Sequence, residues 1–360
     1  MAQLKLGIIG LPGSGKTTVF RALIGGGEAS DRKGRQDVGL AAVKAPDERL
    51  DFLAVHYGHE QGVAVDVEYL DIQGVTGEGK PGREVGDKTL SHARAVDALI
   101  HCVRFFHSQA LGPPDPLRDL DAVEAELIFS DLAVSEKRIE RITKDFKKGR
   151  KDLGEELGLL EEARDLLNEE KPLRCATARF DSEKLKGFSF LSLKPCLYLV
   201  NCGEDIPRDE IQSTVEKIKA RIADQTPAAV DWLYADTEAE VSRLPAEDAA
   251  EFLAELGIQE RASRRIIRAS LNVLNLMVFF TVGRDEVRAW PVIRGATALA
   301  AAGAVHSDMQ KGFIRAEVVS YEHFKKAGSM TEAKKAGKVR LEGKEYRVID
   351  GDIIQFLFNV

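Results

Sequence analysis

Gly10-Leu11-Pro12-Gly13-Ser14-Gly15-Lys16-Thr17 fits G-x-x-x-x-G-K-[S/T] at every constrained position, and no other stretch narrows the fold of this chain as far. It follows an apolar run, Leu4 to Ile9, that reads as a strand, and precedes Thr17 to Ile24, which reads as a helix. The glycines let the backbone turn successive N–H groups toward phosphate oxygens. Lys16 adds a point charge at the β- and γ-phosphates, and Thr17 offers a hydroxyl to Mg²⁺. The helix start places its positive end beneath the same phosphates. Strand, loop, lysine, threonine and helix in register predict a nucleoside triphosphate site at Gly13, Ser14, Gly15, Lys16, Thr17 and Thr18.

A length of 360 residues exceeds one compact core, so two or three domains are expected. Hydrophobic residues make up 44%, enough for globular cores, and no apolar run is long enough to span a membrane. The N-terminus leads straight into the first strand, so a signal peptide is not expected. Cys102, Cys175, Cys196 and Cys202 are scattered with no C-x-x-C pair, which argues against disulfides or zinc and fits a reducing cytosol. A net charge of −7 argues against general nucleic-acid binding and DNA sequence reading. The expectation is a cytoplasmic, multidomain protein with no membrane partner.

Val63–Leu70, Ala98–Phe105, Cys196–Val200 and Val230–Tyr234 read as buried strands of a parallel sheet, continuous rather than alternating because helices cover both faces. Between Phe106 and Lys194 the pattern becomes helical. Leu120, Val123, Leu127, Ile139, Ile142 and Phe146 recur at helical spacing, then Leu153, Leu157, Leu160 and Leu167, as in an antiparallel hairpin. Its bend is basic, with Lys144, Lys147, Lys148, Arg150 and Lys151, which suits either a solvated face or a phosphate-backbone contact. Past Leu276, the runs Met277–Val282, Val287–Trp290, Phe313–Val319, Glu345–Ile349 and Ile353–Phe358 read as short strands of a mixed domain. Asp350-Gly351-Asp352 signals the turn before the last of them.

Two further motifs complete the predicted site. Asp71-Ile72-Gln73-Gly74 is D-x-x-G at a strand end, where Asp71 would join Thr17 in the Mg²⁺ shell and Gly74 would offer an N–H to a γ-phosphate. Gly77, Gly79, Gly82 and Gly86 follow, as suits a segment that orders around that phosphate. Asn201-Cys202-Gly203-Glu204 stands where GTPases carry Asn-Lys-x-Asp. Glu204 is one methylene longer than that aspartate, and the lysine is Cys202. Hydrogen-bond matching therefore favours adenine over guanine, with Asp205 offering the guanine alternative. His56 and His59 lack a third ligand at a useful spacing and read as packing histidines; His306 and Asp308 read as a structural hydrogen bond.

Several segments together give the chain a more specific likeness. These are Gly10-Leu11-Pro12, Ala45-Pro46-Asp47-Glu48-Arg49-Leu50, Asp71-Ile72-Gln73-Gly74, Phe280-Thr281-Val282-Gly283, Glu286-Val287-Arg288-Ala289-Trp290, His306-Ser307-Asp308, Lys311-Gly312-Phe313-Ile314-Arg315-Ala316-Glu317 and Leu341-Glu342-Gly343-Lys344-Glu345-Tyr346. With them the chain resembles the YchF-type, Obg-related branch of P-loop NTPases over nearly its whole length. The resemblance implies an α/β fold: a P-loop NTPase doubly wound sheet with an inserted α-helical hairpin and a C-terminal β-grasp (TGS) domain. The boundaries expected are 1–115 and 190–275 for the nucleotide domain, 116–189 for the hairpin and 276–360 for the TGS domain. It also implies preference for ATP, slow hydrolysis, and a ribosome or RNA partner met through the hairpin and the TGS domain.

The chain departs from that family in places that bear on catalysis. Ala29 to Asp37 carries no threonine where the family has Pro-Phe-Cys-Thr-Ile. Gly13 replaces the family's asparagine, linked to potassium activation in related GTPases; Val75, hydrophobic as in the family, stands where Ras-like enzymes orient water with glutamine. Positioned charge and water supply most phosphoryl-transfer catalysis, so these losses predict a very slow ATPase with no side chain assigned as catalytic. A GTPase reading base through Asp205, or a non-hydrolysing nucleotide-dependent module, are the alternatives.

Overall fold

The computed structural model describes residues 4–25, 39–72, 87–147, 150–255 and 260–359. In chain order the first elements are β1 (Leu4–Ile9), α1 (Lys16–Ile24), β2 (Gly39–Lys44), α2 (Glu48–His56), β3 (Asp66–Asp71), α3 (Asp87–Arg94) and β4 (Ala98–Phe105). Then come α4 (Pro116–Lys147), α5 (Gly154–Asn168), α6 (Thr177–Phe180), β5 (Cys196–Cys202), α7 (Arg208–Arg221), β6 (Ala228–Leu233), α8 (Ala235–Val241), α9 (Ala246–Glu255) and α10 (Ala262–Val273). The last stretch holds β7 (Leu276–Val282), β8 (Val287–Ile293), α11 (Ala298–Val305), α12 (Ser307–Lys311), β9 (Phe313–Ser320), α13 (Tyr321–Ala327), α14 (Met330–Lys335), β10 (Arg340–Glu342) and β11 (Asp352–Phe358).

Six strands form one sheet in the order β2-β3-β1-β4-β5-β6. The pairs β1–β4, β4–β5 and β5–β6 are parallel, as the unbroken apolar runs predict. All eight residues of β4 and all seven of β5 are buried. The chain leaves β1 to one side for β3 and returns to its other side for β4, so the C-terminal end of β1 is the switch point where ligands bind in open α/β sheets. The second sheet, β10-β9-β11-β7-β8, packs one face on α11 through Phe279, Trp290, Ile354, Phe356, Ala298, Ala301 and Ala302.

Two compact units divide the chain, one built from Leu4–Val43 with Glu68–Val273, the other including Lys44–Val67 with Leu274–Val360. In the larger, α4 and α5 carry their own apolar cluster of Ile128, Ile142, Leu160, Ala163 and Leu167. Asp131 on α4, fully buried, accepts from the backbone N–H groups of Leu191 (3.0 Å) and Ser192 (2.7 Å) and pairs with Arg94. In the smaller unit the Ala45–Leu50 motif acts as an anchor. Asp47 caps α2, and Arg49 forks to Asp47 and to Asp350 (2.7 Å) while lying over the Phe280 ring. His56 stacks on Phe52 and meets Phe324 edge-on, and His59 Nε2 lies 3.3 Å from the Gly283 carbonyl.

Local readings differ from the structure in four places. β6, expected as a buried strand, is an edge strand with only Leu233 buried, and Arg340–Glu342 forms the unexpected β10. Gly39–Lys44 forms β2, a short edge strand in which only Ala41 is buried; its apolar run, Leu40 to Val43, is brief and half alanine, a residue of low strand propensity. Glu345–Ile349 forms no strand: the Asp352 carboxylate accepts from the Ile349 N–H (2.9 Å) and the Tyr346 hydroxyl (2.8 Å), so the segment folds back on the turn. His306 takes the structural hydrogen bond expected of it, Nδ1 accepting from the Asp308 N–H at 3.2 Å. No helix among the described residues is long and apolar enough to cross a membrane.

A buried polar cluster joins the sheet to α4. Arg174, fully buried, pairs with Glu124 at 2.9 Å, and the Tyr198 hydroxyl lies within hydrogen-bond distance of Glu124 (3.0 Å) and Gln225 (2.6 Å). His101 lies against the Tyr198 ring with Nδ1 unpartnered among the described residues, and burial, then the charges of Arg174 and Lys16, push its pKa down to about 3. Between that value and the ordinary 6.5, the unfolded chain binds a proton that the folded one refuses. This contribution to stability is thus full above the unfolded value and is lost as pH falls through the window. Urea unfolding at pH 7 and pH 5 should show a loss of about 2 kcal/mol that is absent in His101→Gln. Equal pH dependence in the two proteins would contradict the buried neutral imidazole.

Candidate nucleotide site

The loop between β1 and α1 is built on glycines that leave no room for a side chain. Gly10 adopts φ +152°, and a Cβ there would sit 2.5 Å from the Cys102 carbonyl and 2.8 Å from Ser14 Oγ. Gly15 caps α1 in the left-handed region (φ 88°), and a Cβ would run into Asn201 Nδ2. Gly13 is exposed beneath Leu111. The first N–H groups of α1 have no intrahelical partner, and its first turn carries no acidic residue to neutralise their dipole. Those donors therefore face the loop as an anion-binding nest.

Lys16 is only 9% exposed, and its ammonium donates to the carbonyls of Gly10 (3.1 Å) and Leu11 (2.9 Å). Burial lowers its pKa, opposed by Cys102 and Asp71. An ammonium desolvated in this way gains from any anion that approaches it. Thr17, exposed on α1, donates from Oγ1 to Asp71 Oδ2 at 2.7 Å, although 54 positions separate them. Thr18 follows, half-buried. Ser14 is 2% exposed and its hydroxyl has no partner among the described residues. An orphaned hydroxyl, free helix-start donors and a buried cation fit a phosphate ligand. Thr17 and Asp71 fit Mg²⁺, which is held by one or two protein oxygens together with phosphates. Gly74, with Gln73, Val75 and the glycines through Gly86, lies outside the described residues, as do Ala29–Asp37 and Lys148.

At the end of β5, Asn201 is 4% exposed and spans two elements. Its Nδ2 donates to the Ser14 carbonyl (3.1 Å), and its Oδ1 accepts from the Ala235 N–H at the start of α8 (3.3 Å). Glu204 accepts from the Thr237 hydroxyl, while Asp205, mostly exposed, lies 3.9 Å from His107 Nε2. The structure thus brings Ser14, Gly15, Lys16, Thr17, Asp71 and Asn201 together, with Glu204 on the loop that follows β5.

Three participants escaped the sequence reading. Cys102, expected to behave as a small hydrophobe, donates from Sγ to the Ser14 carbonyl at 3.2 Å, and burial pushes its thiol up to about 12. Ala235 and Thr237 sit just past β6, and their signal was available: each follows the C-terminal end of a strand in an open sheet.

Comparison with known proteins gives consistent results. The family model YchF-GTPase_C, described as "Protein of unknown function (DUF933)", matches residues 276–359. The chain is 40% identical to "Ribosome-binding ATPase YchF" of Bacillus subtilis (strain 168), over 99% of this chain and 100% of that protein. It is 34% identical to "Obg-like ATPase 1" of Homo sapiens, over 99% of this chain and 93% of the human one. The solved "Structure of the Schizosaccharomyces pombe YchF GTPase" superposes with a TM-score of 0.82 at 32% identity, covering 99% of this chain and 98% of that one. With likeness running over 99% of its length, the chain belongs to the YchF family.

Proposed function

We propose that this chain is a slow ATPase that works as a regulatory switch on the ribosome in the cytoplasm. One observation carries the site: Thr17 and Asp71 meet at 2.7 Å beside a buried, desolvated Lys16. The names of the relatives, ribosome-binding ATPase and Obg-like ATPase, support the activity and the partner.

In this reading the N–H groups at the start of α1 and the Ser14 hydroxyl bind the phosphates. Lys16 exchanges two carbonyl partners for phosphate oxygens, gaining charge-assisted hydrogen bonds. Thr17 and Asp71 hold Mg²⁺, which when bound neutralises charge on the β- and γ-oxygens. Asn201 has two amide hydrogens; one goes to Ser14, leaving the other for the base. Glu204 accepts from an amino group on that base. No side chain is assigned as a general base, so acceleration comes from positioning and charge, and hydrolysis is slow. The bend of the helical insertion offers Lys144, Lys147, Arg150 and Lys151 to an RNA backbone. Lys144 and Arg150 make exposed pairs with Glu140 and Asp152 that yield easily to phosphate.

Lys16→Ala should weaken ATP binding by about a hundredfold or more, read by calorimetry on nucleotide-free protein. Undiminished affinity would remove the proposed site. Wild-type protein should pellet with purified ribosomes more strongly with a non-hydrolysable ATP analogue than without nucleotide. Equal pelleting under both conditions would remove the switch.

A further inference from the structure

Glu204 and Asp205 are neighbouring carboxylates on one loop, and the fold gives them different partners. Asp205 faces His107, with both side chains more than half exposed. Glu204 accepts on Oε1 from the hydroxyl of Thr237, which is 2% exposed on α8. The same helix begins at Ala235, whose N–H holds Asn201 Oδ1. One element thus fixes both polar groups proposed to meet the base.

The two purines ask different things of a carboxylate. A guanine edge presents N1–H and a 2-amino N–H side by side and needs both oxygens in parallel. The 6-amino group of adenine needs only one. A glutamate on an exposed loop has free rotors whose ordering opposes binding. A hydroxyl donating to Oε1 removes that freedom in advance, sets the plane of the carboxylate and leaves Oε2 as the acceptor. It also leaves Oε1 poorly placed for the second bond that guanine requires.

We infer that Thr237 is a positioning residue for base selection: its buried hydroxyl holds Glu204 as a single-point acceptor for a 6-aminopurine. This inference rests on the reading of Glu204 as the base contact, and its test separates the two. ATP and GTP dissociation constants are measured for wild type, Thr237→Val, Thr237→Ser and Glu204→Ala, with thermal unfolding of each. Valine keeps the shape of threonine and removes only the hydroxyl. Thr237→Val should weaken ATP by about five- to tenfold, leave GTP unchanged or tighter, and so narrow the ratio, while Thr237→Ser keeps it. An unchanged ratio in Thr237→Val, with a narrowed one in Glu204→Ala, overturns the role of Thr237 and leaves Glu204 as the reader. Equal weakening of both nucleotides in Thr237→Val also overturns it, since that marks general loosening. An unchanged ratio in Glu204→Ala removes the base contact itself, and the inference with it.

Discussion

The carbonyl of Ser14 accepts from Asn201 Nδ2 on β5 and from Cys102 Sγ on β4, at 3.1 and 3.2 Å. Those two bonds pin the glycine-rich loop between the central strands of the sheet. Both require a backbone that approaches its neighbours more closely than a side chain permits, hence Gly10 against the Cys102 carbonyl and Gly15 against the Asn201 amide. A loop held in this way has lost its freedom before a ligand arrives, so its donors act without a further entropic penalty. Lys16, turned onto the loop's own carbonyls, keeps the cradle compact and leaves its charge poorly solvated.

Much of this arrangement was legible in the sequence because it is local. The strand, the octet and the helix are contiguous, and Asp71 and Asn201 each lie at the end of an apolar run, where a parallel sheet presents its ligands. Thr237 was not legible, because its meaning depends on Glu204, 33 residues earlier and on another element. Cys102 looked like a core residue because it is one: it is 1% exposed, and its hydrogen bond appears only once β4 lies beside the loop. β2 is weakly marked because its apolar run, Leu40 to Val43, is brief and half alanine. Glu345–Ile349 was overcalled because alternation alone does not reveal that Asp352 captures the Ile349 N–H and the Tyr346 hydroxyl.

The Ala45–Leu50 motif shows the same limit from the other side. Its residues stand out in the sequence, and Asp47, two positions away, accounts for only part of Arg49. Its other partner is Asp350, 301 positions away, whose second oxygen accepts from the Val278 N–H. The motif is a structural anchor in which one guanidinium ties a helix cap to a distant turn. Pairs of this kind are invisible to periodicity and become evident only when the fold brings them together.

The central claim is that Lys16 and the start of α1 hold a triphosphate, with Thr17 and Asp71 at the metal. The most direct measurement is an experimental structure with a non-hydrolysable ATP analogue and Mg²⁺. It should show Lys16 Nζ released from the Gly10 and Leu11 carbonyls onto β- and γ-phosphate oxygens, with the ion between Thr17 and Asp71. Phosphates bound elsewhere, with Lys16 still on those two carbonyls, would contradict it.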